Sequence, residues 1–500
     1  MNLASVVGPH PAESVALITD PGRVVTYGEL RDEVARLRGG LAQLGIGRGD
    51  RVAVALANGP DFVAVYLAAL GVGAVVVPLN PLSPVPELRR ELAAVGARAL
   101  VVGPVAARTA SALDRAALTG LEHVVDTEGL DRLRAAEPVP AVELEPDDLA
   151  VLVFTSGTAG PSRPAMLTHG NLLANVDQVL AGGHQSADDR VLGVLPTFHI
   201  YGLNVAIGVS LAAGSCVVLA ERFDARATLD LLTRTGVTVV PGVPSMWAAW
   251  SRLPDNVPDD AFATVRLASS GAAALDPEVR RHLRDRFGVH VVEGYGLTEA
   301  SPAVTSGLGV DAPDGSIGVP LPHVSLRLVD ELESGEPEDV LVGDPGEVWV
   351  RGPNVFPGYW EDPQGTAAAL TADGWLRTGD VAVVDDDGFL YLVDRAKDLV
   401  IVSGFNVFPA EVEEVLMLHP AVAEAAVVGR PDPRTGEAVT AYVVPADPEA
   451  APTGQEIIDF CCEHLAHYKC PVEVTFVEEL PHTLSGKVLR RSLPAITQPD

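Results

Sequence analysis

Leu149-Ala-Val-Leu-Val-Phe-Thr-Ser-Gly-Thr-Ala-Gly-Pro-Ser-Arg-Pro-Ala-Met-Leu-Thr-His169 begins as a short apolar run and turns abruptly into hydroxyls and glycines. A run of that length bounded by turn residues reads as a buried strand. Thr155, Ser156, Gly157, Thr158 and Gly160 then form a loop leaving its end. Such a loop can offer backbone amides and hydroxyls to a polyphosphate. It is not a Walker loop, because no lysine followed by serine or threonine comes after Gly160. Taken alone, it is equally an ordinary polar turn.

Outward from this strand, short β-branched runs alternate with Ala/Leu-rich stretches over the first three-fifths of the chain: Val52 to Ala57, Ala74 to Pro78, Leu100 to Val102, Arg190 to Leu195, Ser215 to Leu219 and Val237 to Val240. This is the rhythm of open parallel sheets crossed by helices. From about 341 to 394 the texture changes to strands separated by turn clusters, the pattern of a small antiparallel module. The remainder reads as a compact α+β unit, with helices near Pro409 to Leu418 and Gln455 to Ala466 and strands near Glu424 to Val428 and Thr440 to Val444. The expected fold class is α/β: a large N-terminal domain, 1–394, with parallel or mixed βαβ sheets and the antiparallel module, and a small C-terminal domain, 395–500. No period of twenty to fifty residues recurs, so a solenoid is not supported.

The 500 residues are 47% hydrophobic and 20% charged, which excludes disordered, fibrous and disulfide-stapled classes. Lys plus Arg number 35 against 67 Asp plus Glu, a formal net charge of -32. The basic footprint of a nucleic-acid binder is missing, and an anionic membrane is disfavoured as a general partner. Cys216, Cys461, Cys462 and Cys470 show no spacing that reads as a metal site or disulfide framework, which suits a reducing compartment. With no basic, apolar leader pattern at Met1 to His10, a cytoplasmic location is expected. Phe62 to Leu79 carries no charge, but Gly71, Gly73 and Pro78 divide it into a buried helix and a strand, not a membrane span.

Three further segments carry chemistry. In Val291-Val-Glu-Gly-Tyr-Gly-Leu-Thr-Glu299 two glycines flank an aromatic, which lets the backbone approach a flat ligand; Glu299 offers a carboxylate to a hard cation. A Gly-rich bend with a packed tyrosine has the same appearance. Asp380, in the run from Gly374, and Arg395 can both reach a sugar, or form a surface ion pair. Lys487, on a glycine turn near the C-terminus, reads by itself as a solvated loop residue.

The joint order of these segments, with the stretch ending at His199 and the run Ser403-Gly-Phe-Asn406 after Asp398, resembles the adenylate-forming superfamily of acyl-CoA synthetases, peptide-synthetase adenylation domains and luciferases. The resemblance covers essentially the whole chain. It implies activation of a carboxylate by ATP to acyl-AMP and pyrophosphate, then displacement of AMP by a thiol. It also implies roles. Thr155, Ser156, Gly157, Thr158, Gly160 and Arg163 would hold the phosphates; Glu293, Gly294, Tyr295 and Gly296 would line the adenine site, with Tyr295 stacking on the base. Glu299, with Thr158, would bind Mg²⁺, Thr298 would contact the α-phosphate, and Asp380 and Arg395 would hold the ribose. Lys487 would bridge carboxylate and α-phosphate during adenylation. His199, Trp247, Gly271, Ala272, Ala273 and Gly296 would form the acyl site. Lys397 stands at the hinge position, and Ser403, Gly404 and Phe405 belong to the coenzyme A tunnel.

The sequence departs from the family at Ala159-Gly-Pro-Ser-Arg-Pro164, where a threonine, a lysine and a glycine are customary. Arg163 keeps the charge with a different geometry, and Pro164 lacks an amide donor, so weaker ATP binding is expected. No acidic residue lies between Pro196 and Gly202, which disfavours amino acids as substrates. The first expectation is a medium- or long-chain fatty acid joined to coenzyme A. An aryl or cinnamate-type acid is the second; an acyl carrier protein is the alternative acceptor, and a non-catalytic nucleotide- or acyl-binding homologue the alternative class. A monomer or homodimer suits either reading.

Overall fold

The computed structural model describes residues 1–19, 22–156, 162–254, 256–331, 337–395, 400–407, 409–447, 451–481 and 493, with only the backbone of Ser156, Ser162, Glu331, Val393, Asp394, Arg395, Asn406 and Ala410. Gly157, Thr158, Gly160, Lys397 and Lys487 lie outside the described residues.

The expected apolar runs are strands of two large sheets. The seven-stranded sheet orders Gly358–Tyr359, Ser162–Thr168, Leu149–Ser156, Val75–Pro78, Arg51–Ala55, Ala99–Val102 and His123–Val125 side by side. The nine-stranded sheet has Val291–Gly296, Leu267–Ser270, Val239–Gly242, Arg190–Gly193 and Cys216–Leu219 in parallel at its centre. Parallel strands are covered on both faces, which is why they read as unbroken apolar runs.

Phe62 to Leu79 divides as expected into the helix Pro60–Gly71, entered through a proline at its first turn, and the strand Val75–Pro78. Phe62, Leu67 and Leu70 are fully buried between the sheets, each contributing about 1.5–3 kcal/mol by leaving water. Among the described residues no helix is long and apolar enough to cross a membrane.

The antiparallel sheet begins earlier than the texture suggested, at Ser325–Glu331, and continues through Gly346–Arg351, Leu376–Val384 and Leu390–Arg395. The C-terminal sheet is built on the long hairpin Val422–Asp432 and Gly436–Pro445, with Glu473–Phe476 added in parallel. The helices Pro409–Leu416 and Gly454–His464 pack into its core. Cys462 and Cys470, which sequence spacing left unpaired, are joined as a disulfide, while Cys216 and Cys461 are free and buried.

Candidate active site

Strand Val291–Gly296 leads directly into the single turn Thr298–Ala300, so Tyr295, Thr298 and Glu299 emerge together at the end of the nine-stranded sheet. The glycines around Tyr295 are required by the chain itself. A Cβ at Gly296 would lie 2.2 Å from the Pro302 carbonyl oxygen, and one at Gly294 would lie 2.9 Å from that of Thr305. Their close approach is therefore to the neighbouring strand Ala303–Ser306, where the sequence suggested a ligand.

Tyr295 is buried and donates its hydroxyl to Asp380 Oδ2 at 2.6 Å. Burial, and then the adjoining Asp380 carboxylate, hold its phenol well above the ordinary range. Asp380 faces Arg395 across the strands Leu376–Val384 and Leu390–Arg395. The residue expected under the base and the two expected at the sugar are thus contiguous, although 85 residues separate Tyr295 from Asp380.

Glu299 Oε1 accepts from the Tyr359 hydroxyl at 2.6 Å and lies 3.5 Å from Thr155 Oγ1. Burial and the Glu299 charge raise Tyr359 far above its ordinary value, so it is a fixed donor. Sequence reasoning passed over Tyr359. The aromatic run Phe356-Pro-Gly-Tyr-Trp360 was the available signal, but its pairing with strand Ser162–Thr168 is tertiary. Arg163 pairs with Asp362 at 3.2 Å and lies over the Tyr359 ring, its Cζ 5.8 Å from the centroid. Its charge is therefore engaged by Asp362 and the Tyr359 ring.

Among the described residues no three His, Cys, Asp or Glu side chains converge as a metal site. One fixed carboxylate beside Thr155 still suits Mg²⁺, which keeps most of its shell as water and phosphate oxygen. Glu299 fits that requirement. Glu293 is turned elsewhere: its Oε1 accepts from Leu275 N at 2.8 Å, and its other oxygen pairs with buried Arg280. Its carboxylate therefore ties the strand to helix Pro277–Phe287.

His199 Nδ1 accepts from Tyr201 N at 3.2 Å, and burial pulls the ring down to about 4, leaving it neutral near pH 7. With Tyr201, Ser270, Gly271, Ala272 and His184 it lines a cavity of about 390 Å³ that continues to Tyr295, Gly296 and Thr298. A Cβ at Gly271 would stand 3.3 Å from the Tyr201 ring, so this glycine keeps room for the aromatic wall. Trp247 stands behind the wall: fully buried, it donates to Ser269 O at 3.2 Å and packs against Trp250. Neither Trp247 nor Ala273 lines the cavity. Tyr201, two residues beyond His199, supplies an aromatic wall of the cavity.

Ser403-Gly-Phe405 reaches the same region from the C-terminal sheet. Gly404 has φ +85°, and a Cβ there would meet Val243 Cγ1 at 2.9 Å, so only glycine fits both the conformation and the approach. Phe405 stacks on Phe198, the neighbour of His199, at 6.0 Å between centroids.

A profile described as AMP-binding enzyme matches residues 4–360, and one described as AMP-binding enzyme C-terminal domain matches 411–487. The chain belongs to the AMP-binding enzyme family. Feruloyl-CoA synthase of Amycolatopsis sp is 41% identical to this chain over 471 residues, 94% of this chain and 93% of the relative. The long-chain-fatty-acid–CoA ligase of Yersinia pestis is 36% identical over 516 residues, 94% and 90% of the two chains.

Among solved structures, a double mutant of o-succinylbenzoate CoA synthetase from Bacillus subtilis, bound with its product analogue OSB-NCoA, superposes with a TM-score of 0.86 at 30% identity. That match spans 99% of this chain and 98% of that chain. ATP-bound MatB from Rhodopseudomonas palustris gives 0.74 at 32% identity over 99% of each chain. The protein is an AMP-forming acid–CoA ligase, with ATP and coenzyme A among its substrates.

Proposed function

We propose that this ligase activates a cinnamate-type aryl carboxylic acid. The observation that carries this reading is the polar wall of the acyl cavity. Ser270 Oγ is buried and has no partner among the described residues, and it lines the cavity with Tyr201 and His184. The His184 ring occupies the space that a Cβ would take at both Gly182 and Gly309. A mostly apolar pocket with a few placed polar groups selects a flat ring bearing a hydroxyl or ether, because those groups must be paired when buried. The likeness to a feruloyl-CoA synthase supports the same class. A medium- or long-chain fatty acid is the second reading, favoured by the likeness to a long-chain ligase.

In the first half-reaction Tyr295 stacks on adenine while Asp380 and Arg395 hold the ribose hydroxyls. Thr155, Ser156, Gly157, Thr158 and Gly160 cradle the phosphates, and Thr298 donates to the α-phosphate. Lys487 stands between carboxylate and α-phosphate, lowering their repulsion and stabilising charge developing on phosphorus. Mg²⁺, held by Glu299 with Thr158, neutralises phosphate charge when bound. Neutral His199 forms an uncharged wall beside the acyl group.

In the second half-reaction the C-terminal unit, taken from 395 onward with Lys397 at its hinge, presents Ser403-Gly-Phe405 to the acyl site. The docking of Gly404 on Val243 supports this orientation. Coenzyme A is favoured over an acyl carrier protein, since a -32 chain resists an acidic partner. Dependence on ATP and coenzyme A supports a cytoplasmic site of action. The test of the substrate reading is pyrophosphate release with Mg-ATP and a panel of aryl and fatty acids. Ser270→Val is expected to weaken use of a hydroxycinnamate more than that of cinnamate itself.

A further inference from the structure

Away from Tyr295 and Glu299, the described structure buries a knot of charge between helix Val85–Ala94 and the C-terminal unit. Lys469 Nζ lies 2.5 Å from Glu87 Oε1 and 3.0 Å from Glu411 Oε1, with all three side chains at most 7% exposed. Glu87 Oε2 also accepts from Ala466 N at 2.7 Å, and Arg90 reaches across to Glu411 at 3.1 Å. Glu91 is buried beside them. Three carboxylates thus face one lysine and one arginine, and the group balances when one carboxyl keeps its proton.

Lys469 adjoins Tyr468, whose ring stacks on Phe405 at 4.4 Å, and Phe405 stacks in turn on Phe198 beside His199. The charged knot and the Ser403-Gly-Phe405 loop therefore dock as one surface.

We infer that Lys469, held by Glu87 and Glu411, is a positioning latch for the thioester-forming orientation: it fixes the C-terminal unit with Phe405 against the acyl site and takes no part in adenylation. Glu87 and Glu411 are 324 positions apart (411 − 87) and share one ammonium only while the units are docked. Removing one member of such a buried group leaves the others unpaired, so the docked arrangement loses more than one contact. The inference rests on the docked orientation proposed above.

The test measures both half-reactions of the full-length protein with Lys469→Met, Glu87→Gln and the conservative Lys469→Arg. Adenylation is read as pyrophosphate release, and the second step as thioester formed from supplied feruloyl-AMP and coenzyme A. Lys469→Met is expected to slow thioester formation roughly tenfold or more with adenylation within about twofold of the parent, and Lys469→Arg to recover most of the loss. Equal loss in both steps, or no loss in either, would overturn the latch. Should the parent chain form no thioester, the substrate or acceptor reading fails separately. Hydrogen–deuterium exchange of helix Val85–Ala94 then decides the latch: faster exchange in Lys469→Met supports it, and unchanged exchange refutes it.

Discussion

Tyr295 and Asp380 are bound to one another at 2.6 Å, so the residue assigned to the base and the one assigned to the sugar form a single hydrogen-bonded unit built from two sheets. On the proposed reading, a nucleotide entering this site would meet an aromatic face whose angle is set by the same carboxylate that receives its ribose. That coupling makes the site testable one atom at a time.

Tyr295→Phe keeps the ring and deletes the bond to Asp380. A hydrogen bond to a charged group is worth about 1.5–3 kcal/mol, so kcat/KM for ATP is expected to fall roughly 10- to 100-fold. Steady-state pyrophosphate release checks this. An unchanged value would show that Asp380 needs no support from Tyr295.

Tyr359→Phe releases Glu299 from its 2.6 Å donor. The carboxylate then loses its fixed direction, and the Mg²⁺ concentration giving half-maximal adenylation is expected to rise several-fold, while KM for the acid stays put. A change in the acid term alone would place Tyr359 in the acyl site instead.

Burial holds His199 and His169 each at about 4, against an ordinary 6.5. The unfolded chain binds the extra protons between those values, so their stabilising effect is complete above pH 6.5 and is lost as pH falls toward 4. His169 Nδ1 accepts from Leu3 N at 3.0 Å, a bond that protonation removes. The melting temperature is expected to drop on acidification below pH 6.5, and more gently in His169→Gln. Equal slopes in the two proteins would contradict the assignment.

Glu91 gives the latch a pH signature of opposite sign. Burial first, and then neighbouring Glu87 and Glu411, push its carboxyl from 4.5 up to about 8, although Lys469 and Arg90 pull it down; Tyr468 completes the surroundings. The folded, docked chain therefore holds a proton that the unfolded chain releases above pH 4.5, and the stability this gives is complete below pH 4.5 and is lost as pH rises through about 8. Single-turnover thioester formation is expected to slow across that window, and Glu91→Gln to flatten the profile. A slope retained in Glu91→Gln would assign it to another group.

Much of this was legible in the sequence, for identifiable reasons. Strands such as Val75–Pro78 and Cys216–Leu219 are buried on both faces and read as continuous apolar runs. Ser325–Glu331 is harder to read because Arg327 and Asp330, on opposite faces of the strand, break both the apolar run and its alternation. The glycines at 294 and 296 were rightly seen as places of close approach, but only the folded chain shows that Pro302 and Thr305 are what approaches. Glu293 stands inside a ligand-like motif, and the pairing of its carboxylate with Arg280 on helix Pro277–Phe287 is a tertiary contact that spacing does not reveal. Tyr359, Tyr201 and Lys469 were missed because each acquires its role from a partner distant in sequence or from the shape of a cavity.

The most direct test of the central claim is thioester formation with Mg-ATP and coenzyme A over a matched panel of ferulic, cinnamic, octanoic and palmitic acids. The polar acyl wall predicts that kcat/KM is greatest for ferulic acid and exceeds that for palmitic acid by roughly 100-fold or more, with pyrophosphate and acyl-CoA formed in equal amounts. Preference for palmitic acid, with ferulic acid inert, would contradict the aryl-acid reading and return the enzyme to the fatty acyl-CoA ligases.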